Sequence, residues 1–176
     1  NGEVQIGGPA MSNDDLAIAE GEGFVVENGA GWGAVSAMFF GEPYTSDENL
    51  RKALNYAINR ENAAIYHGQL DTTPASDFFA KKLLGDMAGK VPAIQYDPEK
   101  AAEYLAQSNY NGEELEINVT SSYVNIATSI QADLAAIGVN TVINTLDANS
   151  WTAKIDDGTL GISVENCGVA YSSPEE

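Results

Sequence analysis

The sequence is short of positive charge, cysteine, histidine and long apolar runs, and each shortage excludes something. Eight Lys and Arg stand against 26 Asp and Glu in 176 residues, a formal net charge of −18. So negative a surface repels phosphate backbones and anionic lipid head groups, which argues against nucleic-acid binding and electrostatic membrane docking. The single cysteine, Cys167, allows no internal disulfide and no cysteine-based zinc site. The single histidine, His67, offers a metal too few clustered ligands. No segment approaches eighteen consecutive apolar residues, so no spanning helix is expected. The chain neither begins with Met nor opens on a charged segment followed by an apolar one. The expectation is an excised or processed piece whose N-terminus carries no targeting information.

What is present is ordinary for a folded domain. Apolar residues make up 44% and charged residues 19%. A chain of this length can bury roughly 70% of its unfolded surface around one core.

The stretch 46–68, SDENLRKALNYAINRENAAIYHG, carries the clearest helical stripe. Leu50, Ala53, Leu54, Ala57 and Ile58 recur at helical spacing, with Ser46 or Asp47 as the N-cap. A second helical pattern runs from Glu61 to His67 and stops at Gly68. Upstream, Val4 and Ile6 hint at a strand, and Asn13 to Ala19 predicts a short helix. Glu22 to Glu27 reads as a strand, and a glycine-rich turn at Gly29–Gly33 precedes a strand over Ala34 to Phe40. That turn lacks the lysine of a phosphate loop and leads into a strand rather than a helix. Residues 69–96 read as irregular, with a helical turn or two at Phe78 to Leu84.

From residue 97 the order is helix, strand, helix, strand, helix, strand. Asp97-Pro98-Glu99 opens the first helix, whose buried face is expected at Ala101, Ala102, Leu105 and Ala106. Leu115, Ile117 and Val119 alternate with outward-facing Glu116, Asn118 and Thr120. A helix from Val124 to Ile137 ends at Gly138, a strand follows over Val139 to Leu146, and Ser150 to Asp156 makes a short helix. Leu160, Ile162 and Val164 form the last strand, running into Asn166-Cys167-Gly168. Helices linking strands imply an α/β layout with at least partly parallel pairing.

LRKALNYAINRE (50–61) and YDPEKAAEYLAQSNYNG (96–112) resemble the family 5 extracellular solute-binding proteins, oligopeptide and dipeptide receptors of ABC importers. The likeness continues through LEINVTSS (115–122), IQADLAAIGVNTVINTLD (130–147) and DDGTLGISVENCGVAYSSP (156–174). It implies an α/β lobe of type II periplasmic-binding-protein form, a mixed β-sheet flanked by helices. Residues 1–176 would be the second lobe alone of a longer two-lobed protein. The implied partners are a small solute, such as a peptide in the family's manner, the missing lobe and an ABC permease. The implied setting is extracellular or periplasmic, attached to the envelope as a lipoprotein, with a monomeric receptor, no cofactor and no bound metal.

In peptide-binding members a Trp-Gly-Ala-Asp-Tyr-like stretch follows the last strand, and its Asp pairs with the peptide amine. Aligned on Tyr171 and Pro174, that stretch here reads Cys167-Gly168-Val169-Ala170-Tyr171. Ala170 stands where the resemblance expects the Asp, and an alanine cannot neutralise a desolvated ammonium. Either the ligand is a different solute, such as a sugar or metal chelate, or a carboxylate such as Glu165 substitutes. The candidate ligand-binding residues are Asn166, Cys167, Gly168, Val169, Ala170 and Tyr171, with Trp32 serving either the cleft or packing.

Plainer readings stand beside these. Cys167 also suits a small buried thiol, and with no histidine near it in sequence it is no nucleophile. His67 is explained by its place at a helix end, and Trp151 by packing. Asp156-Asp157-Gly158 is a turn, since the regularly spaced ligands of a calcium loop are missing. A sensory or interaction domain on the same fold is the alternative from another class. An acidic hydrolase lacks a recognisable nucleophile and base.

Overall fold

The computed structural model describes residues 13–26, 34–67, 74, 85–87, 89–90 and 94–167. Helix α1 (Asn13–Gly21) and strand β1 (Ala34–Phe40) lead into α2 (Glu48–Ala57) and α3 (Arg60–His67). Then follow α4 (Pro98–Leu105), β2 (Leu115–Val119), α5 (Val124–Ala136), β3 (Thr141–Thr145), α6 (Ala148–Asp156) and β4 (Gly161–Cys167). The sheet order is β1-β4-β2-β3. Strand β2 runs parallel to both neighbours, whereas β1 is antiparallel to β4. The α/β reading with a mixed sheet therefore holds, and so does the element order from residue 97.

Leu115, Ile117 and Val119 of β2 join Ile162 and Val164 of β4 in one cluster with Leu50, Leu54, Ala57 and Ala101. Ile126, Ile130 and Leu134 of α5 complete it. Every residue of the stripe read in α2 is buried. At about 1.5–3 kcal/mol for each large side chain removed from water, this layer is the main stabilising term. Helix α2 starts where Asp47 accepts the Leu50 amide at 2.9 Å, and α4 where Asp97 accepts that of Lys100 at 2.9 Å. Asn59 separates α2 from α3 and caps the latter, accepting the amides of Glu61 and Asn62.

Four expectations need correction. Residues 22–26 form no strand: Gly23 adopts φ +89 and closes α1. Its amide bonds to Glu20 O and that of Phe24 to Ala19 O, a helix-closing motif that turns the chain away from an extended path. In α4 Ala102 and Ala106 are exposed. The inner face is instead Ala101 and Leu105, with Tyr104 stacked on Tyr56 at 5.6 Å, because the aromatic reaches a partner that alanine cannot. Asn118 does not face solvent but is fully buried, since β2 lies inside the sheet. Strand β3 is shorter than read: Val139 closes α5 by donating to Leu134 O, although Leu146 still donates to Val119 O. The readings at Val4 and Ile6, Gly29–Gly33, Gly68 and Phe78–Leu84 lie outside the described residues.

Candidate functional site

Because β2, β3 and β4 run in parallel, their C-terminal ends meet along one edge of the sheet. Antiparallel β1 begins at that edge, with Ala34 opposite Cys167. In open α/β sheets ligands bind outside the carboxyl ends of the strands, where connections turn away on either side. Here the connections are Thr120 with the 3₁₀ turn Ser121–Tyr123 after β2, Leu146 and Asp147 after β3, and Asn166-Cys167 closing β4.

Each connection is shaped locally. Asp147 caps α6, with Oδ1 accepting the Asn149 and Ser150 amides at 2.9 and 3.0 Å and Oδ2 the Ser150 hydroxyl at 3.2 Å. Those bonds, the Ser150 amide foremost, hold its carboxyl below the ordinary value of 3.8, so it is a carboxylate at neutral pH. Neither Thr120 nor Tyr123 makes a side-chain cap at the start of the 3₁₀ turn or of α5. The His67 ring, at the end of α3, stacks on Tyr123 with centroids 6.4 Å apart and planes 12° apart. Burial lowers the His67 pKa from 6.5, which keeps the imidazole neutral at pH 7. Glu165, one residue before Asn166, accepts the Ser163 hydroxyl at 2.8 Å and faces Ser36 across the β1–β4 ladder.

The segments 120–123, 146–150 and 165–167 contain hydroxyls, amides and carboxylates but no Lys or Arg. Lys154 lies at the far end of α6, paired with Glu116 at 2.6 Å. Such an edge can hold a solute by hydrogen bonds and by stacking on the His67–Tyr123 pair. Among the described residues no group of three or more His, Cys, Asp or Glu is placed to hold a metal ion. Among them, too, no helix is long and apolar enough to cross a membrane.

Of the residues singled out from sequence, Asn166 lies exposed at the end of β4, and the Cys167 backbone closes that strand. Gly168, Val169, Ala170, Tyr171 and Trp32 lie outside the described residues. The pairing of Cys167 with Ala34 sets side by side the two chain positions from which those stretches extend. The sequence reading missed Thr120–Tyr123 and Asp147, and gave His67 only its helix end. The alternation of strand and helix was the signal that could have found the first two, since it puts every strand end on one edge. A shallow groove between Gln131, Ala132 and Thr141 lies near the start of β3, at the opposite edge.

The model for bacterial extracellular solute-binding proteins, family 5 Middle, matches residues 1–176. A provisionally named ABC transporter peptide-binding protein of Brucella ovis is 28% identical over 154 residues, covering 82% of this chain. A Brucella abortus counterpart matches equally. The chain spans only 27% of the length of these relatives. Among solved structures, Helicobacter pylori DppA in complex with the peptide STSA superposes with a TM-score of 0.75 at 23% identity, covering 92% of this chain and 32% of DppA. Brucella suis NikA in complex with Fe(III)-EDTA gives 0.73 at 19% identity, covering 92% of this chain and 36% of NikA. The fold is thus that of a type II periplasmic-binding-protein lobe.

Proposed function

The chain belongs to the bacterial extracellular solute-binding proteins, family 5, and on that premise we propose that residues 1–176 form one lobe of a two-lobed receptor serving an ABC importer. The family match over the whole chain carries this reading. The receptor captures a small solute between this lobe and a second one and delivers it to a membrane permease, with no bond made or broken. Its place is outside the cytoplasmic membrane, held at the cell envelope, and it works as a monomer. On this lobe the solute contacts the strand-end edge at Asn166, and Cys167, Gly168, Val169, Ala170, Tyr171 and Trp32 are the further residues proposed to bind it.

Ala170 in place of an amine-pairing aspartate favours a solute other than a free-amine peptide. The sequence has no carboxylate at that position, and an ammonium buried without a partner costs several kcal/mol. The structural relatives accommodate both classes: DppA is seen with a peptide and NikA with a metal chelate. Titration calorimetry of the full-length protein against short peptides and their N-acetylated forms is the test. The reading expects no tight binding that depends on the free amine, and such dependence would overturn it.

A further inference from the structure

We propose that the solute presents uncharged hydroxyl groups to this lobe, as a neutral saccharide does, and that Glu165 is the carboxylate that accepts their hydrogen bonds. The inference rests on the receptor reading above and deepens it. Two observations carry it: where the positive charge of the chain sits, and how Glu165 is held.

Proteins hold anionic solutes with Arg and Lys, and this edge has neither. Between residues 101 and 176, which include all three strand-end segments, the only cationic side chain is Lys154. It is paired with Glu116, the second residue of β2, and so belongs to the opposite edge of the sheet. The other Lys and Arg among the described residues are engaged as well. Arg51 and Arg60 donate to backbone carbonyls just before α2 and at its end, and Lys52 pairs with Glu48. Lys90 donates to the Met87 sulfur, and Lys100 lies over the Tyr56 ring. Burial keeps the His67 imidazole neutral. A carboxylate or phosphate on the solute would therefore be desolvated against this lobe without a counter-charge.

Glu165 is half-buried near the end of β4, and its Oε1 accepts the Ser163 hydroxyl at 2.8 Å. Ser163 is fully buried, so the carboxylate is anchored from inside the sheet. Across the ladder Ser36 brings a second hydroxyl to the same face. The edge's other carboxylate, Asp147, is committed through both oxygens to capping α6. What remains is one held carboxylate among neutral groups, the hydroxyls of Thr120, Ser121 and Ser122 and the amide of Asn166. A hydroxyl of the solute donates to Glu165 in a charge-assisted bond, and the neutral groups supply both donors and acceptors for its neighbours. The half-buried Tyr123 ring, stacked on His67, offers an apolar surface to the C–H face of a sugar ring.

Titration calorimetry on the full-length protein tests this with short neutral oligosaccharides, the same oligosaccharides ending in a uronic acid, and short peptides. The expected result is that a neutral oligosaccharide binds at least about a hundredfold more tightly than its uronic-acid counterpart. Glu165→Gln and Glu165→Ala, with melting curves matching the parent, should each lower that affinity about tenfold to a hundredfold. Tighter binding of a uronic acid or a peptide, binding of no neutral oligosaccharide, or unchanged affinity in both variants would overturn the proposal. Tight binding of a solute from another class would do so while leaving the receptor reading in place, whereas binding of none of the three classes would count against both.

Discussion

Replacing Asp47 by alanine removes two anchors at once. Asp47 is 5% exposed, its Oδ1 capping α2 through the Leu50 amide and its Oδ2 accepting the Asn109 amide at 2.6 Å from 62 residues away. The carboxylate thus ties the start of α2 to the end of the α4 segment. Loss of the cap costs about 1 kcal/mol and loss of a hydrogen bond to a charged acceptor about 1.5–3 kcal/mol. Since water can reach part of the vacated site, the sum for Asp47→Ala is about 2–4 kcal/mol. Asp47→Asn keeps one acceptor but turns its NH₂ toward the other amide, and should lose about half as much. Burial pushes this carboxyl up, but the amides of Asn109, Leu50 and Asn49 together outweigh it and hold the pKa below 3.8. The folded-state pKa is therefore the lower one. The stabilisation is complete above the unfolded value near 3.8 and disappears as pH falls through the folded value. Urea unfolding followed by far-ultraviolet circular dichroism at pH 7 and pH 3 measures both effects. An Asp47→Ala protein within about 0.5 kcal/mol of the parent at pH 7 would refute the reasoning.

Other perturbations test other parts of the structure. Gly41→Ala should destabilise by about 1–3 kcal/mol in the same assay, because φ is +71 and a Cβ there would strike the Gly158 carbonyl. Ile117→Ala, in the middle of the sheet, should cost about 2–5 kcal/mol, and less than 1 kcal/mol would contradict the central place of β2 in the core. Lys154→Met should move the Glu116 carboxyl, now depressed chiefly by the Lys154 hydrogen bond, up toward its ordinary range in an NMR titration. Because that pair is part-exposed, its stability cost should stay under about 1 kcal/mol. The His67 imidazole should titrate below 6.5 by NMR. The unfolded chain then binds this proton more tightly, so the His67 contribution falls as pH drops through 6.5 and is retained above it.

The scaffold was legible where one face of an element is apolar and the other is not. The stripe of α2, the Asp97-Pro98 start of α4 and the full span of β1 follow from the spacing of residues alone. Reading failed where burial depends on what lies across space. Asn118 is polar and alternates with apolar neighbours, yet sits inside the sheet, its amide donating to Leu160 O at 2.5 Å. Phe24, Val25 and Val26 have strand propensity, but Gly23 closes a helix just before them. The site was legible only in part. Family likeness drew attention to the end of β4, whereas the meeting of three strand ends with the His67–Tyr123 pair is a consequence of topology that no single segment carries.

The most direct test of the solute-binding account is hydrogen exchange on the full-length protein with and without the solute that co-purifies with it. Slower exchange on binding is expected in residues 120–123, 146–150 and 165–167, the three strand-end segments, with little change along α2 and α4. Solute-dependent protection confined to α2 and α4, or absent from all three strand ends, would contradict the account.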